Sequence, residues 1–570
     1  MIALIVPVIA AIFWILLKFA TGAYWQFPDP AFGYLSSSLS LFKGFPPTFN
    51  YQPGTSVEIL GAVLIFLLNI GHSTAQAVHQ VLLDPEFYLN AMNGAMVVFS
   101  LLASFLLGRY VLRQTKDVLA TFLSQLPLLG ILSLRSYSFY DYVLPVITNV
   151  SPEPLLIGIS SLFNLFFLKL FFADKKEQEL FPTLLLGFIC GLGISSKLTY
   201  VSFLLLPLIV CRGRLKIPFL AVSVISTILW TIPIIPQYPW MQHWITRLAT
   251  HDGWYGNGSP RIINPHLYIA NLKYMLFSLC SPLTLFAAVA LLISLGQTIK
   301  KGMSRGGFFL LATAFCLLTQ FAVIAKHYDE HYLVSTINLF AVFFVLFYLN
   351  IKNKTLPIKR IITLCMSVYA IYAIHHAWEY NKQLSGYTKQ AQLFNLDLHH
   401  KYPDASFIGV YPMPMSIPEA AIFWANDRDN RQQDELADLY PKGLAYFSNS
   451  LNDYAPYVYG IFSIKQRVFA DDLLRSGKTV LFVAPKDYDF SQTPYAVSKV
   501  EQGRYAAAFL LLKSTEKQAN ELLYAAIKLT EAGDYRDAFL IALKSKELHY
   551  QPEGKVTLLL SLLYPHIPHR

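Results

Sequence analysis

Over its first 380 residues the chain alternates long apolar runs with short polar connections. The runs lie near 2–20, 58–70, 88–112, 118–134, 154–173, 181–196, 199–211, 217–236, 267–296, 307–325, 332–350 and 361–378. A helix needs ~20 predominantly apolar residues to cross a bilayer, and most of these runs approach or exceed that length. The pattern predicts a polytopic α-helical membrane protein. After about residue 380 the periodicity changes. Strand-like runs at 405–411 ("ASFIGVY") and 479–485 ("TVLFVAP") stand between helix-like stretches, which predicts an α/β domain over 381–515. The last part, 516–570, reads as a helical hairpin. Gly533, Tyr535, Ala538 and Pro552 fall near the positions of a tetratricopeptide unit, but one copy cannot build a solenoid.

The polar connections set the sidedness. Basic residues gather at Arg109/Arg113/Lys116, Lys175/Lys176, Arg212/Arg214/Lys216, Lys300/Lys301/Arg305 and Lys352/Lys354/Lys359/Arg360. If the run at 58–70 spans, the first cluster lies opposite the other four. If it does not, all five share one face, as the positive-inside rule requires. At 1.5 Å per residue that run reaches only ~20 Å of a ~30 Å core, so a helix lying at the membrane surface is expected there. About eleven spans remain, with the N-terminus in the cytoplasm. The segment after the first span, the 137–154 and 237–266 loops, the 326–332 turn and everything after ~380 then lie outside. The first run lacks a basic leader and a small-residue cleavage site, so it is expected to be retained.

Composition agrees. The 570 residues are 54% hydrophobic and only 14% charged, against ~25% charged in a soluble protein. The net charge of +10 is explained by loop anchoring and does not call for nucleic acid. The five cysteines lie in or beside apolar runs without Cys-x-x-Cys spacing; they read as core residues, not as a disulfide framework or metal site.

Ionisable residues near membrane depth are the informative ones. On the outer side they are Asp29 in "PDP", Glu153 in "SPEPLLIG", Lys197 in "GLGISSKLTY", the loop "HDGWYGNGSPRIINPH" and the turn "KHYDEHY". Each has an ordinary reading: a turn acid for Asp29, a macrodipole charge for Glu153, a snorkelling side chain for Lys197. Together, two carboxylates and several cations from distant segments suit a cavity where an acid activates a nucleophile and cations hold an anionic leaving group.

These motifs resemble those of the GT-C glycosyltransferases, the multi-span family of the protein O-mannosyltransferases and the lipid A aminoarabinose transferase. That family places an acid after the first span, then a tyrosine, a glycine and a proline turn leading into a surface helix. Here stand Asp29, Tyr34, Gly44 and "NYQPGTSVEILGAV". The acid is alone where the family has an Asp-Glu pair, and the turn is Gln-Pro-Gly where the family has Pro-Pro. "SPEPLLIG", "GLGISSKLTY" and "KHYDEHYLVS" match three later signatures, and the likeness covers roughly residues 1–380. The resemblance implies transfer of a sugar from a polyprenyl-phosphate (or pyrophosphate) donor to a protein, lipid or glycan acceptor on the outer face of a bacterial inner membrane. It implies inversion at the sugar, Asp29 as general base, and Glu153 orienting the acceptor or sharing the proton. Lys197, Arg261, Lys326 and His331 would hold the donor phosphate. Tyr34, His251, Trp254, Tyr255 and Tyr332 would contact sugar or acceptor. A divalent metal stays open, since the acids lack ligand spacing. A lipid-donor enzyme needs no nucleotide fold, and no Gly-rich phosphate loop is present. The alternatives are a transporter or flippase of lipid-linked sugars, for which inverted repeats are missing, a glycan polymerase or ligase, and a membrane-anchored scaffold. The Asn149 and Asn257 sequons would face the lumen in a eukaryote.

Overall fold

The structure, a computed structural model, describes residues 1–410 apart from 27–28, 50–52, 140–141, 174–178, 254–255, 257 and 352–355. Beyond 410 it describes 445–448, 457–460, 468–469, 479–488, 496–504, 506–512, 515–531, 534–547 and isolated positions between them. These residues form two units. The first comprises Met1–Thr21, Ser37–Ala77 and Phe87–Ser385; the second comprises Gly22–Ser36, Val78–Glu86 and Gly386–Arg570.

The helices in chain order are α1 (Ile5–Thr21), α2 (Ala31–Phe42), α3 (Thr55–Leu68), α4 (Thr74–Leu83), α5 (Pro85–Thr115), α6 (Val118–Gln125) and α7 (Pro127–Ile131). A short hairpin, β1 (Arg135–Phe139) and β2 (Tyr142–Pro145), precedes α8 (Pro152–Phe172), α9 (Leu180–Ser196) and α10 (Leu205–Val210). Then follow α11 (Gly213–Thr231), α12 (Tyr238–Thr250), α13 (Pro265–Tyr274), α14 (Ser281–Lys301), α15 (Arg305–Lys326), α16 (Val334–Ile351) and α17 (Leu356–Lys401). Among the described residues, eight helical stretches are long and apolar enough to cross a membrane. The eleven expected spans divide into these eight and three shorter stretches, at Val118–Ile131, Leu180–Ser196 and Leu198–Val210. The chain is an integral membrane protein.

The centre of the first unit is α16, which is apolar on all sides and buried continuously from Val334 to Tyr348, as a core helix must be. Hydrophobic burial does little to hold helices together in lipid, so polar and small residues do it. Asn338 on α16 donates to the Ile157 carbonyl at 2.8 Å and the Ser161 hydroxyl at 3.0 Å on α8, and Asn164 donates back to the Asn338 carbonyl at 2.8 Å. Gly187 and Gly191 let α9 meet α11 backbone to backbone: a Cβ at Gly191 would lie 2.6 Å from the Ser223 carbonyl.

One end of the bundle is closed by charge. Arg305 donates to the Ala173 and Leu170 carbonyls at 2.9 and 3.0 Å, satisfying the C-terminal end of α8. The buried Glu179 carboxylate, just before α9, lies 3.2 Å from Arg212 and 4.0 Å from Arg305. The C-terminal end of α8 and the N-terminal ends of α9, α11 and α15 therefore meet around one acid. At the opposite ends of α8, α9 and α15 stand Glu153, Lys197 and Lys326. The 21 residues of α8 separate the two polar ends by ~30 Å, the thickness of the hydrocarbon core.

The expected surface helix is α3, whose 14 residues rise ~21 Å. Its N-cap is Gly54 at φ 76°, a left-handed conformation that favours glycine. Two expectations change. The 237–266 segment, read as a loop, is helical over α12; the one proline of α12, Pro239, stands in the first turn, where a missing N–H costs nothing, and its Trp, Gln and His content hid it from an apolar scan. The last apolar run does not end a helix near 378: α17 runs for 46 residues in all, from Leu356 to Lys401, its second half carried by polar and charged helix formers.

In the second unit seven strands form one sheet: β3 (Ser406–Val410), β4 (Ala445–Ser448), β5 (Tyr457–Gly460), β6 (Val468–Phe469), β7 (Val480–Pro485), β8 (Ala496–Gln502) and β9 (Ala506–Leu512). Their spatial order is β6-β5-β4-β3-β7-β9-β8, with β3 parallel to both neighbours, Ile408 facing Tyr446 and Phe482. Ile408 and Phe482 belong to one core cluster; Phe407, Leu481 and Val483 join Leu398 of α17 in another. A parallel central strand covered on both faces reads as continuous apolar sequence, which is how both strand-like runs announced themselves. Helices α18 (Thr515–Glu531) and α19 (Tyr535–Glu547) form the expected hairpin, closed on Leu522, Ala526 and Ile541.

The sidedness is testable. A topology reporter inserted after residue 75 is expected to report the same side as one inserted after residue 260, and the side opposite to one after residue 303. It is also expected to report the same side as one inserted after residue 45, between α1 and α3; opposite sides at 45 and 75 would mean that α3 spans.

Candidate functional site

Glu153 is the second residue of α8 and Lys197 the extended residue that follows α9. Their side chains, 2–3% exposed, form an ion pair. The extended backbone of Lys197 pairs with Pro53 in an isolated β-bridge. Beside it the Thr55 hydroxyl donates to the Ser195 carbonyl at 3.2 Å, and the Ser56 and Ser196 hydroxyls lie 2.6 Å apart. The N-terminal end of α3 is thus stitched onto the Lys197 turn.

The turn before α16 adds the rest. His331 Nε2 lies 3.8 Å from Glu153, and His331 Nδ1 lies 2.8 Å from Asp329. The Lys197 ammonium sits 4.2 Å over the Tyr332 ring, an arrangement worth ~2 kcal/mol when desolvated. Burial pushes the Asp329 carboxyl up, but the His331 and Lys197 charges and the His331 hydrogen bond outweigh it and hold the group below its ordinary value. Two acids, two bases and an aromatic ring are thereby gathered from three distant segments into one buried cluster.

Next to the cluster lies a cavity of about 270 Å³, lined by Lys197, Val201, Trp244, Leu248, Val323, Lys326, His327 and Tyr332 among others. Its walls are mostly apolar, and Lys197 and Lys326 are both among the residues that line it. Lys326 donates to the Leu248 and Ala249 carbonyls at 2.5 and 2.6 Å, and His327 Nε2 lies 3.0 Å from the Leu248 carbonyl. Both side chains cap the C-terminal end of α12. Burial pulls the His327 imidazole below its ordinary value, so near neutrality it favours the uncharged form. A mostly hydrocarbon wall that includes two lysines suits an amphiphile with an anionic head.

The structure brings together Glu153, Lys197, His331 and Tyr332, and sets Lys326 on the adjoining cavity. Glu153 is the partner of two bases here, not a lone acid. Arg261 is half exposed and donates to Asp252; that hydrogen bond holds the Asp252 carboxyl below its ordinary value. His251 contacts the Thr250 hydroxyl at 2.9 Å. Neither Arg261 nor His251 lines the cavity. Trp254 and Tyr255 lie outside the described residues. Asp29 and Tyr34 belong to the second unit. Asp29 is half-buried two residues before α2, and buried Tyr34 donates its N–H to the Pro30 carbonyl at 3.0 Å. In that unit Glu86 accepts the backbone N–H groups of Tyr24 and Trp25 at 2.9 and 2.7 Å, fixing the chain just ahead of Asp29. Among the described residues there is no group of three or more His, Cys, Asp and Glu able to hold a metal. Trp244 was missed as a cavity residue because its segment was read as a loop; His327 lies in the turn singled out from the sequence but was given no role there.

No family model matches the chain, and no curated protein matches it. Among solved structures, ArnT from Cupriavidus metallidurans bound to undecaprenyl phosphate is similar at 11% identity and TM-score 0.48, covering 89% of this chain and 97% of that one. The oligosaccharyltransferase of Archaeoglobus fulgidus in its apo form is similar at 12% identity and TM-score 0.42, covering 85% and 69%.

The pair at the heart of the cluster makes a stability prediction. Removing one buried partner strands the other charge and costs ~3–5 kcal/mol, while removing both does not. Glu153→Ala and Lys197→Met are each expected to lower unfolding stability in detergent by about that amount. The double variant should lose less than the two single losses combined. Additive losses would show that the two groups are not energetically coupled.

Proposed function

We propose that the chain is a GT-C-type glycosyltransferase. It moves a sugar from a polyprenyl-phosphate donor to an acceptor on the periplasmic face of a bacterial inner membrane. The observation that supports this best is the Glu153–Lys197–His331–Asp329 cluster beside an apolar cavity at one end of the bundle. Such a site suits a substrate whose tail stays in lipid and whose phosphate needs cations. The five basic clusters support a cytoplasmic position for the opposite end.

In the proposed reaction Asp29 accepts the proton of the acceptor nucleophile. The nucleophile bonds to C1 of the sugar from the face opposite the phosphate, which inverts that centre. The C1–O bond breaks, and its electron pair leaves with the polyprenyl phosphate. Lys197, Lys326 and His331 stabilise the charge that grows on the leaving oxygen. Glu153 holds Lys197 and His331 in place and keeps the empty site from carrying unpaired buried cations. Tyr332, already under the Lys197 ammonium, supplies a flat apolar surface for the sugar. Arg261 is assigned to the donor phosphate, and His251, Trp254, Tyr255 and Tyr34 to acceptor and sugar recognition, on their sequence positions alone.

The test is transfer from a panel of labelled polyprenyl-phosphate sugars in membranes. General-base catalysis contributes ~10²–10⁴-fold, so Asp29→Asn is expected to slow transfer by that factor without abolishing donor binding. Transfer at the wild-type rate would remove Asp29 from the mechanism. If the wild-type protein consumes no donor across the panel, the class of function is wrong.

A further inference from the structure

Glu153, the second residue of α8, is reached from β2 through one 3-10 turn at Val146–Thr148, and its carboxylate must meet Lys197 and His331. What holds it is a buried side chain on another helix. Asn93 of α5 is fully buried. Its amide nitrogen donates to the Ile147 carbonyl at 3.0 Å and to the Asn149 carbonyl at 2.9 Å. Its amide oxygen accepts from the Trp14 indole of α1 at 2.9 Å. Both N–H donors and the acceptor of this amide are therefore engaged, which fixes its orientation without ambiguity. Two helical turns along α5, on the same face, the Ser100 hydroxyl donates to the Pro154 carbonyl at 2.5 Å. Glu153 lies between the clamped carbonyls of 149 and 154. The close approach of α5 and α8 is set at Gly158, where a Cβ would fall 2.4 Å from the Phe99 ring and 3.0 Å from the Ser100 hydroxyl.

We propose that Asn93 is the positioning residue of the site: through the Ile147 and Asn149 carbonyls it fixes where the Glu153 carboxylate stands, and through Glu153 where Lys197 and His331 stand. The assignment rests on the transferase reading given above. Asn93 touches no reacting atom and acts entirely through Glu153. Only an uncharged, short amide fits the role, since the two acceptors are backbone carbonyls and the one donor is an indole. A carboxylate of the same shape keeps the indole bond and turns both other contacts into repulsions.

The experiment compares Asn93→Asp, Glu153→Gln and the double variant, purified in lipid nanodiscs. A small misplacement of catalytic groups costs on the order of 10²-fold. Asn93→Asp is therefore expected to lower kcat by about that factor, with KM for the polyprenyl-phosphate sugar changed less than about twofold. The double variant should be no slower than Glu153→Gln alone, because the two substitutions damage the same step. Losses that multiply, or a kcat that does not fall, overturn the proposal. Hydrogen exchange gives a readout that needs no activity. Backbone amides of 147–153 should exchange faster in Asn93→Asp, while those of 160–170 should not; unchanged exchange at 147–153 overturns the proposal. Trp14→Phe, which removes only the indole bond, should show a milder version of both effects and serves where Asn93→Asp does not assemble. If the wild-type protein transfers no sugar, the functional reading falls, and the exchange result alone decides whether Asn93 holds the Glu153 loop.

Discussion

The buried ion pair between Glu153 and Lys197 is the constraint on which the bundle is organised. Taking two charges out of water costs several kcal/mol per ion, and their attraction offsets that only when the geometry is good and further partners are present. The structure supplies those partners from separate directions. His331 approaches Glu153 from the turn before α16, and Tyr332 presents its ring to the Lys197 ammonium. Pro53 pairs with the Lys197 backbone, and α5 grips the Glu153 loop at carbonyls on both sides of the acid. None of these contacts is local in sequence. Each commits a different helix to one position, so the cost of the pair is spread over α3, α5, α8, α9 and α16 together.

A second polar node mirrors the first at the far end of α8, but its chemistry differs. Glu179 faces two arginines that are roughly half exposed, and Arg305 spends its other donors on the α8 carbonyls. Two cations to one acid, reached by water, make an anchor that can lie among headgroups. The Glu153 node is largely buried, pairs its acids with Lys197 and His331, and is set against an apolar cavity. This contrast separates a structural closure from a candidate site better than either node's residue types do. In sequence both are only an acid near lysines and arginines.

Much of the architecture was legible because lipid imposes a simple rule: every backbone polar group must be satisfied within the segment. Apolar runs therefore mapped onto helices almost one to one, and the short reach of 58–70 together with the basic clusters singled out α3. The site was legible in part. Glu153, Lys197, His331 and Tyr332 were found because ionisable and aromatic groups at membrane depth demand a reason. Asn93 and Ser100 were not, because an amide or hydroxyl in an apolar run carries no charge to flag it; only the carbonyls it meets, more than fifty positions away in the chain, show what it does. Helix α12 and the second half of α17 were missed for the opposite reason. Their helical periodicity is written in polar residues, so a scan for apolar length passes over them.

Lys326 shows how one cation can answer to both fold and site. Its ammonium closes the C-terminal end of α12 through two carbonyls while lining the same cavity as Lys197. An ammonium has three donors, so two bonds to α12 leave one direction toward the cavity. A phosphate entering there would compete for an ammonium already partly neutralised by carbonyl dipoles, not for a bare charge. Its gain at Lys326 would be smaller than at an unengaged lysine, but the loss on leaving would be smaller too, because the carbonyls keep the ammonium satisfied. On the proposed reading the site must release a lipid phosphate after each turnover, and cations of this kind would serve it, with Lys197 balanced by Glu153 in the same way. Each ammonium keeps its protein partners whether or not an anion is bound, and anion binding strengthens only where negative charge grows beyond what these partners already neutralise.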